Sequence, residues 1–182
     1  MMTELWIAIL KLIPWIWERV RPVDPFQSHA LIYPTLRALK KTCKAQRALV
    51  LRYHNGGGKL KADSPVRGSI HAECVADGFI SRTADFQDVP LTSEYVHNVA
   101  LALKQSPGLI HRNDWQDPSL KAVYENDGIY SAALCPVCEM PQATFVLVLQ
   151  WAEKKSKLQA HDIVEVQAAA RKLARLVRGL TA

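Results

Sequence analysis

His71-Ala-Glu73 and Cys135-Pro-Val-Cys138 are the residues of this chain best suited to catalysis. They carry the letters of a zinc-dependent cytidine or nucleic-acid deaminase. In such an enzyme a His and two Cys hold Zn²⁺, the metal activates a water, and a Glu moves protons. On that reading His71, Cys135 and Cys138 are ligands and Glu73 is the proton shuttle. The local sequence argues against it. Both Cys of the pair must reach the metal from the first turn of a helix, but the apolar run 145–149 follows Pro141 too closely for a helix to fit. In an extended strand, residues three apart point to opposite faces and cannot clamp one ion. Asp77-Gly78 cuts short any helix after Glu73, and Leu134 stands where the motif has a proline. A redox pair, or half a structural zinc site completed by Cys43 or Cys74, is the related option. A thiol on a buried strand is most often a small hydrophobe.

A second constellation suits binding rather than catalysis. The apolar run 48–53 stops at His54-Asn55 and three glycines, 56–58, which is a strand delivering its last side chains to a loop. Recognition groups are commonly presented there by a rigid scaffold. Glu73 in the next strand adds a carboxylate, while Tyr95 and Trp115 supply aromatic walls. A few convergent polar groups among aromatics is how a small-ligand site is built. His54, Asn55, Glu73, Tyr95 and Trp115 are therefore the candidate ligand-binding residues. The plain alternative is that His54 and Asn55 satisfy turn hydrogen bonds and Trp115 packs.

The elements that must position these residues follow from periodicity. Leu31, Ile32, Leu36, Leu39 and Cys43 recur at helical spacing from Ser28, with Pro34 tolerated in or near the first turn. The opposite face of that helix carries Arg37, Lys40, Lys41, Lys44 and Arg47. Strands are predicted over 48–53 and 69–76, the second ending at Asp77-Gly78. Thr92 or Ser93 caps a helix to about 104, ended by Ser106-Pro-Gly108. A short strand over 109–112, a polar loop over 113–118 and a short helix over 119–125 follow, stopped by Asn126-Asp-Gly128. Strands over 129–137 and 143–151 form a hairpin turning at 139–142. A final helix spans about 160–180, with Arg171, Lys172, Arg175 and Arg178 suiting its C-terminal dipole. The pattern is an α+β layer fold.

The leader is set apart. Residues 5–17 read LWIAILKLIPWIW, shorter than the roughly 20 apolar residues of a membrane span. Glu4 before it and Glu18-Arg19 after it disfavour a secretory signal. Its three tryptophans and Arg19 and Arg21 suit peripheral contact with a bilayer surface, or docking on a protein. The prolines of 21–25 make a hinge, so residues 1–27 are expected to be a Trp-rich helix with its hinge and 28–182 the domain. Net charge is +6, which suits an acidic partner. The cations are not interleaved with aromatics, so no single-strand stacking platform forms and nucleic acid is not the expected partner. Four unevenly spaced cysteines point to a reducing cytoplasm, with or without association to a membrane.

This order of elements resembles the GAF family of small sensory domains. The likeness rests on the helix into Arg47-Ala-Leu-Val-Leu-Arg-Tyr-His-Asn-Gly56, the strand around 70–76, Asp127-Gly-Ile-Tyr-Ser-Ala-Ala-Leu-Cys-Pro136, the partner strand 145–151 and the closing helix. It covers roughly 28–180. The resemblance implies a six-stranded antiparallel sheet with the N- and C-terminal helices on one face. It places inserted helices and loops on the other face, around a small-molecule pocket. It also implies that the terminal helices self-associate or meet a partner protein. No chromophore-binding cysteine or cyclic-nucleotide motif is marked, so no cofactor is specified. The expectation is a non-enzymatic ligand-sensing or interaction module; a purely architectural subunit of a larger assembly is the competing view.

Overall fold

A strand buried on both faces is apolar at consecutive positions, and two stretches of this chain meet that condition. The computed structural model describes residues 25–55, 66–155 and 157–180. In it these stretches are β1 (Arg47–His54) and β6 (Ala143–Trp151), the central strands of a six-stranded sheet. The remaining strands are β2 (Arg67–Val75), β3 (Val89–Pro90), β4 (Gly108–His111) and β5 (Ser131–Met140). The order is β3-β2-β1-β6-β5-β4, antiparallel throughout. The helices are α1 (Pro25–Thr42), α2 (Ser93–Leu103), α3 (Pro118–Asn126) and α4 (Ala160–Gly179).

Alternation along the strands divides the core in two. Ala48 and Val50 of β1, with Phe145, Leu147, Leu149 and Trp151 of β6, face α1 and α4, meeting Leu36, Leu39, Val166 and Leu173. Leu49, Leu51 and Tyr53, with Val146 and Val148, face α2 and α3. Leu36, Leu147, Leu149 and Leu173 have no exposed surface, so truncating any one to Ala costs about 2–5 kcal/mol. The Trp151 indole donates to the Cys43 carbonyl at 3.0 Å. That bond satisfies one of the carbonyls left over at the end of α1 and ties the helix to the central strand.

The α+β layer architecture expected from the sequence is present, and several details differ. Helix α1 begins at Pro25, three residues before Ser28, so Pro34 lies in its interior rather than its first turn. Proline there removes a helical donor, and the Thr35 hydroxyl donates to the Leu31 carbonyl at 2.7 Å in that turn. Strand β5 runs on to Met140, which leaves a turn of only Pro141 and Gln142. A register shift between Pro136 and Cys138 puts a bulge in β5. The bulge reverses one expectation: Cys135 and Cys138 lie on the same face, both in the core beneath the terminal helices. Arg47 belongs to no solvated helical stripe, because it opens β1 and is 3% exposed. The two-residue strand β3 was not foreseen. Residues 1–24, with the leader and most of its hinge, and the glycine loop 56–58 lie outside the described residues.

Candidate functional site

The sheet face away from α1 and α4 is roofed by α2, α3 and the segment from 77 to 92. Two caps set that roof. Thr92 begins α2 by accepting from the Tyr95 backbone N–H at 3.1 Å, and Asp117 begins α3 by accepting from the Leu120 N–H at 2.9 Å. The Thr92 hydroxyl donates to Asp117 at 2.5 Å, so the starts of both helices are joined. Burial raises the Asp117 pKa, but bonds from Thr92, Leu120 and Ser119 outweigh it and hold the carboxyl below its ordinary value.

Under the roof the aromatic residues meet. Tyr95 and Trp115 stack with centroids 5.8 Å apart and planes 11° apart, Trp115 leans on Tyr124 at 5.5 Å, and the Tyr53 and Tyr95 hydroxyls are 3.0 Å apart. Burial pushes the phenols of Tyr53, Tyr95 and Tyr124 well above the ordinary range. An inner chamber of about 90 Å³ lies against Leu51, Ile70, Tyr95, Trp115, Tyr124 and Val148. An outer bay of about 430 Å³ shares Arg82, Phe86, Tyr95, Leu120 and Val123 with it. Trp115 is 5% exposed, and its indole N–H has no hydrogen-bond partner among the described residues.

One end of the chamber is closed by charge. Arg47 Nε lies 3.0 Å from Glu73, and its Nη1 donates to Asp127 at 2.8 Å and to Gln150 at 2.9 Å. Gln150 in turn donates to the Tyr124 hydroxyl at 3.0 Å. Arg82 grips Asp127 through two nitrogens and Asp85 at 3.0 Å. Glu73 also accepts from Ser81 at 2.5 Å, the Arg82 N–H at 2.9 Å and Thr83 at 3.0 Å. For Asp127, burial pushes the pKa up; the hydrogen bonds and charges of Arg82 and Arg47 outweigh it and bring the carboxyl below its ordinary value.

Of the five candidate residues, the fold therefore brings two together, Tyr95 and Trp115. Glu73 lies on the same sheet face, engaged by Arg47 and the 81–83 backbone and hydroxyls. His54 alternates to the opposite face, where its Nε2 is 3.0 Å from Ser69 Oγ, and Asn55 follows it beyond the strand. Burial, with Arg52 and Arg67 nearby, lowers the His54 pKa against the opposing pull of Asp88. Sequence reasoning missed Arg47, Arg82, Asp127 and Tyr124. Only the Asp127-Gly128 turn was flagged, as a helix stop; Gly128 has φ +65, which is why glycine stands there.

The deaminase arrangement is not formed. Cys135–Cys138 lies in a strand paired with β6, and no group of three or more His, Cys, Asp or Glu able to hold a metal occurs among the described residues. His71 packs edge-on against Phe145 at 5.5 Å. Cys43, Cys135 and Cys138 are buried in the core beneath α1 and α4, and Cys74 packs against it.

No protein-family model matches the chain, and no curated protein matches it in sequence. Solved structures do match it in shape. A far-red cyanobacteriochrome photoreceptor superposes with a TM-score of 0.63 at 16% identity, over 98% of this chain and 100% of that one. The phycoerythrobilin-bound GAF domain of a cyanobacterial phytochrome gives 0.60 at 12%, over 94% and 95%. The chain has the GAF fold. The GAF domain of Thermosynechococcus elongatus PixJ in its blue-light-absorbing form gives 0.57 at 12% over 89% and 90%. Identities this low speak to the GAF fold alone. The aromatic chamber lies on the sheet face opposite α1 and α4, the face on which the GAF resemblance implies a pocket.

Proposed function

We propose that the chain is a non-enzymatic ligand-sensing module whose site is the aromatic chamber and its outer bay. The observation that carries this reading is the buried Trp115 N–H in the chamber wall, which has no partner among the described residues. A buried donor without a partner is costly, and a ligand acceptor relieves that cost. The ligand class is a flat heteroaromatic molecule with a carbonyl or ring-nitrogen acceptor, its ring lying among Tyr95, Trp115 and Tyr124. At about 90 Å³ the chamber is too small for such a ring until Phe86 and Leu120, shared with the bay, move apart. Binding thus favours an open roof over a closed one, and that differential affinity is the signal. A tetrapyrrole tied to a cysteine is not the form proposed, since all four thiols belong to the other side of the sheet.

Thermal-shift screening against purine nucleotides, amino acids and free tetrapyrroles tests the reading. A true ligand at a hundred times its Kd adds about 2.7 kcal/mol of stability. Trp115→Phe keeps the packing and removes the donor, so it weakens binding about tenfold. A ligand held equally well by that variant overturns the assignment.

A second reading has its own support. Leu31 and Tyr33 of α1 are 44% and 41% exposed and Val164 of α4 is 60% exposed, which suits self-association through the terminal helices. Leu31→Glu with Val164→Glu then lowers the sedimentation coefficient at high concentration; an unchanged coefficient refutes that pairing. The leader is proposed to dock the domain on a bilayer surface or a partner protein. Liposome flotation with and without residues 1–21 distinguishes the two. No helix among the described residues is long and apolar enough to cross a membrane.

A further inference from the structure

We propose that the outer edge of β5, beside the arginine row of α4, receives an acidic extended segment of a partner protein as an added strand. Strand β4 pairs only with Ser131–Leu134 of β5. Beyond that point Cys135, Pro136, Cys138 and Glu139 pair with β6, with Val137 in the bulge, and residues 135–139 make no other backbone hydrogen bond among the described residues; Ser106, its hydroxyl 4.0 Å from the Cys135 sulfur, borders the start of the stretch. The burial pattern changes one residue later, from five buried residues to an end in which Pro136 and Glu139 are exposed, Val137 and Met140 half-buried and Cys138 buried. An edge left open in this way is a template for strand addition. Pro136 lacks a donor and the bulge bends the strand, so the open stretch is short and suits a short segment rather than a whole sheet.

Charge selects the occupant. A groove of about 530 Å³ runs along this edge, floored by Ala170 and Ala174 and lined by Arg171, Arg175 and Arg178. These arginines recur at helical spacing on one side of α4 and are all exposed. Neither Arg171 nor Arg175 makes an ion pair with a described residue. Gln167 stays beside them by donating to the Ser106 carbonyl at 3.1 Å, which fixes the rim of the groove. Glu139, next to Cys138 in the strand, alternates to the other face and does not neutralise the row. A strand placed on the edge projects alternate side chains into the groove, so Glu or Asp at every second position meets the guanidinium groups.

The probe is a short synthetic peptide alternating Val and Glu, added to the intact chain and followed by backbone amide NMR and fluorescence anisotropy. The proposal expects saturable binding that weakens with salt, shifts the amides of 135–139, and falls at least about tenfold in Arg171→Glu/Arg175→Glu. Two further probes keep the test open should that variant fail to fold: the same peptide with Lys for Glu, and the Glu peptide N-methylated at alternate residues. Neither binds under the proposal, the first for charge and the second because it cannot complete the ladder. Binding undiminished by N-methylation, an equal response to inorganic phosphate, or amide shifts that leave 135–139 untouched each overturns strand addition. So does failure of the Glu peptide to bind.

Discussion

Replacing Arg47 with methionine tests the charge cluster that closes the chamber. The side chain is 3% exposed and stands between Glu73 and Asp127, whose side chains are 2% and 4% exposed. Methionine fills much of the same volume and leaves both carboxylates buried with one cation fewer. Breaking a buried pair from one side costs about 3–5 kcal/mol. For a domain of this size that lowers Tm by roughly 6–20 °C, at about 2–4 °C per kcal/mol. Arg82 still holds Asp127, and Ser81, Thr83 and the Arg82 N–H still serve Glu73, so the loss belongs at the lower end of that range. The pH dependence is diagnostic. Asp127 has a folded pKa below its unfolded one, so its contribution is complete above the unfolded value and disappears as pH falls through the depressed folded value. In the variant that depression is weakened. The stability difference between wild type and variant therefore holds from pH 7 to about pH 4 and shrinks only as the solution is acidified further, below the ordinary carboxylate pKa. Urea unfolding of both proteins from pH 7 into that acid range measures it. A loss under about 1 kcal/mol at pH 7, or a loss independent of pH, refutes the claim that Arg47 neutralises buried carboxylates.

Other outcomes follow from the same geometry. Tyr53→Phe leaves the buried Tyr95 hydroxyl without its partner and destabilises by about 1–2 kcal/mol in chemical denaturation. In an alkaline absorbance titration, Tyr53, Tyr95 and Tyr124 ionise only as the fold is lost, in a step that coincides with the loss of circular dichroism. Their folded pKa values lie above the unfolded ones, so this stabilisation is present below the unfolded phenol pKa and is lost as pH rises. Thiol titration of the native protein finds Cys43, Cys135 and Cys138 unreactive: burial pushes Cys43 up to about 12 and raises the other two. Added zinc leaves Tm unchanged, because Cys135 and Cys138 are core side chains of a strand. A rise at equimolar metal contradicts that placement.

Much of the fold was legible because local signals and the final structure agree. The apolar runs of β1 and β6 mark central strands, Thr92 and Asp127-Gly128 bound helices at the expected places, and Asp77-Gly78 ends β2 with Gly78 at φ +82. The site was half legible. Tyr95 and Trp115 were chosen as aromatics on inserted elements, and they do meet. The charge cluster was hidden because its members come from β1, β2, the 77–92 segment and the end of α3, and no local spacing joins them. Arg47 was concealed by its neighbours: counted with Arg37, Lys40 and Lys44 it continues a helical stripe, yet the helix stops at Thr42 and strand alternation turns it inward. The bulge in β5 depends on how that strand registers with β6, and alternation alone predicted the opposite facing of Cys138.

The most direct test follows the indole N–H of Trp115 in an ¹⁵N–¹H spectrum, assigned by its loss in Trp115→Phe, while the strongest stabilising molecule of the screen is titrated in. Sensing in the aromatic chamber predicts that this signal shifts in step with binding and shows contacts from the molecule to Trp115 and Tyr95. A saturating molecule that leaves that signal in place and perturbs other residues instead contradicts it.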